Sequence, residues 1–173
     1  MVSTAPLGRP VAATVTFASG GASGQDSPAV CERGPMSRVS TYLNFPGTAE
    51  EAFTFYKDLF GTDFVGPIVR FSDMPGLEVA ESERSLVMHA EVEIAAGHIL
   101  MATDMLASLG HECRVGNTTT IALEVDSRDE VDRLYGALSQ GSTEFQAPQV
   151  MGWGQYWSTC LDRFGVRWMV SSD

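Results

Sequence analysis

The stretch "MHAEVEIAAGHILMATD" (residues 88–104) concentrates side chains able to do chemistry. His89, Glu91 and Glu93 alternate along it and so fall on one face of a strand. His98 and Asp104 follow on the next strand or at its end. An imidazole among carboxylates suits two tasks. It can orient or deprotonate a bound molecule, since histidine titrates near neutrality unperturbed. With a third ligand it can hold a divalent cation. Such a cluster could in principle do either, against the plainer reading of a histidine hydrogen-bonded across strands or a solvated strand face.

Two further groups invite the same question. In "GWGQYW" (152–157) glycines flank Trp153, so the chain can bend and present an aromatic plane. Trp153 and Tyr156 read equally as a stacking wall for a ligand or as a plug in a sheet, while Trp157 and Trp168 read as core. Cys113 lies near His111, but near neighbours on a loop rarely aim at one atom, and covalent cysteine catalysis is not expected. Segments 72–86 and 105–117 exceed ordinary connection lengths, as lids and binding loops do.

These residues must be held by regular elements, and the chain writes its helix twice. "TAEEAFTFYKDLFG" (48–61) returns as "SRDEVDRLYGALSQG" (127–141), 79 positions on. Thr48 and Ser127 with Glu51 and Glu130 predict capping boxes. Ala52, Phe55, Tyr56 and Leu59 form an apolar stripe matched by Val131, Leu134, Tyr135 and Leu138. Gly61 and Gly141 predict left-handed stops. Strand patterns precede both helices at 39–45 and 118–126. They follow at 63–71, 88–96 and 98–104, and again at 142–151, 155–161 and 166–172. Gly97 and "DRFG" (162–165) predict hairpin turns. The fold class is α+β, with two β-α-β-β-β modules at about 38–104 and 117–172.

Two such modules pairing into one curved mixed sheet, helices outside and a cleft inside, resembles the vicinal oxygen chelate (glyoxalase/bleomycin-resistance) superfamily. "YLNFPGTAEEAFTFYKDLFG", "MHAEVEIAAGHILMATD" and "WG…LDRFGVRWMV" resemble its PhnB-like branch, also labelled a 3-demethylubiquinone methyltransferase domain. The resemblance implies four metal ligands, His or Glu, on the first and fourth strands of each module. Counting seven residues back from the helix caps gives Thr41 and Thr120, and the fourth-strand positions fall at Met101 and Met169. Hydroxyls and thioethers suit neither hard nor borderline cations. The expectation is a cleft lined by Thr41, Met101, Thr120 and Met169 that holds no metal or other cofactor and takes a small organic molecule. The alternative is an enzyme with a relocated metal or acid–base site at His89, Glu91 and Asp104. Methyl transfer lacks a glycine-rich strand-to-helix turn to seat its donor.

Composition bounds the partners. Across 173 residues, 11 basic side chains stand against 22 acidic ones, a net charge of −11 that repels nucleic acid and anionic lipid. Three cysteines at unrelated spacings give no disulfide framework, and a reducing cytoplasm is expected. Residues 1–35 are rich in Gly, Ser and Pro and read as a disordered or loosely attached extension. A homodimer is expected, from the resemblance and from the exposed edges of half-open sheets.

Overall fold

The computed structural model describes residues 38–173, and the extension expected over residues 1–35 lies outside them. The chain runs through β1 (Thr41–Phe45), α1 (Ala49–Phe60), β2 (Val69–Arg70), β3 (Val87–Glu93) and β4 (Ile99–Asp104). It then repeats itself as β5 (Ile121–Glu124), α2 (Arg128–Leu138), β6 (Phe145–Val150), β7 (Tyr156–Leu161) and β8 (Arg167–Ser172). Hydrogen bonds give each module its own four-stranded mixed sheet, ordered β1-β4-β3-β2 and β5-β8-β7-β6. The single sheet expected from the sequence is thus two sheets of one topology, with β1 and β5 as edges. The expected strand at 63–71 contracts to β2 and one isolated bridge, Phe64 to Val92. Gly66 (φ 88°) and Pro67 interrupt it, and proline has no N–H to pair.

Each helix lays its apolar stripe on its own sheet. Ala49, Ala52, Phe53 and Tyr56 of α1 are fully buried, as are Val131, Leu134 and Leu138 of α2. Gly61 ends α1 in the left-handed region (φ 65°), letting Thr62 N–H reach the Lys57 carbonyl at 2.9 Å. At the second helix the cap residue Ser139 is still right-handed, and Gly141 (φ 77°) turns two residues beyond it.

The start of α1 departs from the expected capping box. Thr48 makes no side-chain cap, its ψ of 14° lying outside the extended region that aims a cap hydroxyl. The buried Asp104, at the end of β4, does this work instead. Its Oδ1 accepts from Ala49 N–H and its Oδ2 from Val87 N–H, both at 2.9 Å. A carboxyl group is thereby fixed at the positive end of the helix and tied to β3. Ser127 does cap α2, accepting from Glu130 N–H at 3.2 Å, but Glu130 turns to Arg133 rather than back to the cap.

One core joins the modules. Tyr56, Phe164 and Trp168 pack edge to face around the buried Asp162 in the β7–β8 turn. Asp162 accepts from Tyr56 Oη–H (2.6 Å), Trp168 Nε1–H (2.8 Å), and the N–H groups of Phe164 and Val166 (2.9 Å each). Four donors satisfy a group that would otherwise be costly to enclose. Across the helices, Arg133 Nη1 donates to the Leu59 carbonyl at 3.1 Å, a cation at the negative end of α1. The two long loops are clipped together, since enclosed Glu83 accepts from both the hydroxyl and the N–H of Ser108. No helix among the described residues is long and apolar enough to cross a membrane.

Candidate functional site between the modules

Strand register decides which side chains can meet. In β1 and β4 the partners are Thr41 with Leu100 and Tyr42 with Met101. Leu100 is fully buried on the helix side, so Thr41 and Met101 lie on opposite faces. In the second module Met169 pairs with Ala122, and Thr120 precedes β5. The expected quartet of Thr41, Met101, Thr120 and Met169 is therefore not one site. Tyr42 and Ala122 are one position further apart than the two helices, because the first strand-to-helix turn carries an extra residue at Gly47 (φ 96°). One residue is enough to exchange the faces of a strand.

At the positions where the resemblance implies metal ligands stand Tyr42, Met101, Ala122 and Met169. A phenol, two thioethers and a methyl group do not fit a hard or borderline divalent ion. Among the described residues no three His, Cys, Asp or Glu side chains gather as a metal would require.

The remaining candidates separate. His89 Nε2 and Glu91 Oε1 lie 3.2 Å apart on the face of the first sheet away from α1, and Arg38 reaches the same oxygen at 3.2 Å. The hydrogen bond from His89, then that from Arg38, holds the Glu91 carboxyl below its usual range. Tyr42 completes this group, its ring 6.1 Å from that of His89. Asp104 does not join them, both its oxygens being committed to backbone N–H groups inside the module. Tyr156 faces α2, donating to Asp132 at 2.9 Å beneath the Arg128 guanidinium. Trp153 is 64% exposed and donates only locally, to Gln155.

Thr41 and Thr120 do meet, in a cavity of about 470 Å³ between the modules. Its apolar walls include Phe60 from α1, Ile94 and Leu134, and His98 stands at its rim with Nε2 2.9 Å from Thr41 Oγ1. A second cavity of about 290 Å³ shares Thr41, Thr119 and Ile121 with the first and adds Cys113, Arg114 and Arg167. Pattern reading missed Ile94, Leu134 and Arg167 here. The sequence predicts a cleft between the modules, but not that the edge strands β1 and β5 border it.

The model of the 3-demethylubiquinone-9 3-methyltransferase family matches residues 37–171. The chain belongs to this family. As a family member it resembles protein YjdN of Escherichia coli K12, 26% identical over 77% of this chain and 93% of that one. Among solved structures, protein PA1353 of Pseudomonas aeruginosa is 30% identical, with a TM-score of 0.68 over 80% of this chain and 98% of that one. A PhnB protein of Bacillus cereus, 21% identical, shares the fold with a TM-score of 0.66 over 79% and 100% of the two chains. The 3-demethylubiquinone-9 3-methyltransferase-like chain thus shares with these structures the α+β architecture of two β-α-β-β-β modules expected from its repeated helix.

Proposed function

We propose that the protein binds a small organic molecule in the cavity between its modules, without a metal ion. The observation that carries this reading is the cavity of about 470 Å³, where two threonine hydroxyls and His98 stand among Phe60, Ile94 and Leu134. Its size and balance of apolar wall to a few polar groups suit a metabolite. A thermal-shift screen of aromatic and amphipathic metabolites, run beside Thr120→Trp, tests it. Thr120 is exposed on the cavity wall, so tryptophan there fills the space without disturbing the core. A compound at 100 times its Kd adds about 2.7 kcal/mol of stability, or roughly 5–10 °C. Shifts in the wild type that vanish in Thr120→Trp support the reading. No shift, or equal shifts in both, contradicts it.

A second reading is favoured by the His89–Glu91 pair, the geometry of an orienting or proton-accepting histidine on the open face of the first sheet. Turnover of a bound compound that His89→Ala abolishes, with binding intact, would favour it. Methyl transfer has no such support, the β1–α1 turn holding the lone glycine Gly47.

The proposed state is a cytoplasmic homodimer. Edge strand β6 leaves Phe145 60% and Val150 56% exposed, and pairing with a second copy would cover them. Light scattering at tens of micromolar, an order-of-magnitude choice, should give twice the chain mass. A monomer there contradicts it.

A further inference from the structure

The two cavities differ in charge, and the difference points to the chemistry of the ligand. Resting on the small-molecule reading above, we infer that the ligand is an organic acid, its apolar body in the larger cavity and its carboxylate at Arg167 in the smaller. The chain carries twice as many acidic as basic residues. Among the described residues lining the smaller cavity there is nevertheless no Asp or Glu, while Arg114 and Arg167 both contribute. Glu124 and Glu130 border the larger cavity instead, while Glu144 and Glu112 pair with Arg167 and Arg114 without lining the smaller one. An acid entering the seam is thus repelled from one end and attracted at the other, which fixes its direction.

Arg167 is the sharper signal. Its side chain is 17% exposed, and Nη2 pairs with Glu144 Oε2 at 2.8 Å. Its Nε is enclosed within the protein, so a ligand in the cavity would meet the terminal nitrogens. A guanidinium carries five N–H donors and can serve a carboxylate besides its glutamate partner. The hydroxyls of Thr41, Thr118 and Thr119 offer further donors on the same wall. Thr41 and Thr119 line both cavities, so one molecule can span them. The loop carrying Arg114 is seated by Val115, which lies where a Cβ on Gly165 would come within 2.7 Å of it.

The test compares 4-phenylbutyrate with 4-phenylbutanol by calorimetry, on the wild type, Arg167→Gln and Arg114→Gln. The acid should bind at least about tenfold more tightly than the alcohol, the scale of one charge-assisted hydrogen bond. Arg167→Gln should abolish that preference and leave the alcohol's Kd unchanged. Arg114 is on an exposed loop, so Arg114→Gln keeps the fold and should lower the acid's affinity by a smaller factor. Glu144→Gln, which frees Nη2, should raise it. Equal binding of acid and alcohol, or a preference that survives Arg167→Gln, overturns the inference and leaves the small-molecule reading standing. If neither probe binds and the metabolite screen is also blank, both fall.

Discussion

Tyr56 of α1 donates its phenolic hydrogen to Asp162 in the β7–β8 turn across 2.6 Å, so the helix of one module closes the core of the other. Both groups are buried, and burial, with the charge of Asp162 beside it, holds the Tyr56 phenol well above its usual range. Tyr56→Phe keeps the ring packing and removes one donor from an enclosed carboxyl group. It should cost about 1–3 kcal/mol with an unchanged denaturant slope. A loss below a few tenths of a kcal/mol in urea titrations would show that the bond does not join the modules.

The unexpected cap makes a second contrast. Asp104→Ala strips partners from Ala49 N–H and Val87 N–H together, and should cost about 2 kcal/mol or more. Thr48→Ala removes no hydrogen bond and should stay within about 0.5 kcal/mol. Ser127→Ala at the second helix should cost about 1 kcal/mol. Equal effects at Thr48 and Ser127 would restore the symmetric capping boxes that the sequence suggests.

Glu83 supplies a pH dependence. Hydrogen bonds from the Ser108 hydroxyl and then the Ser108 N–H lower its pKa from the ordinary 4.5. A carboxyl group depressed on folding adds stability that is present above its unfolded value and disappears as pH falls through the folded one. The wild type should therefore be more stable than Glu83→Gln near pH 7, and the gap should close on acidification below pH 4.5. A gap that stays constant from pH 7 to the acid limb of the melting curve would contradict this.

The repeat was legible where it is local. Helical period and the glycine stop at Gly61 depend on neighbours within a turn or two, and both modules emerged from them. Faces were not legible where they hang on a turn. Counting back from a helix cap puts Thr41 beside Met101, whereas one extra residue at Gly47 gives that place to Tyr42. Asp104 could not be read as a cap because its partners, Ala49 and Val87, lie 55 and 17 residues away. Tyr156 followed the same logic, its strand parity turning it toward α2.

Register itself can be tested by building a metal site. Tyr42→His with Met101→Glu, and Ala122→His with Met169→Glu, place each imidazole beside a carboxylate on one face. This quadruple variant should bind nickel or zinc more tightly than one carrying Thr41→His, Met101→Glu, Thr120→His and Met169→Glu. Calorimetry giving the Thr41 set equal or higher affinity would refute the pairing of Tyr42 with Met101.

The central claim is that ligand enters between the modules, and amide chemical-shift mapping tests it most directly. Nitrogen-15-labelled protein titrated with 4-phenylbutyrate should show its largest shifts at Thr41, Ile94, His98 and Thr119 through Leu123, around the shared cavities. Largest shifts at His89, Glu91, Met101 and Thr103, with the residues between the modules unmoved, would place binding on the open face of the first sheet and contradict the account.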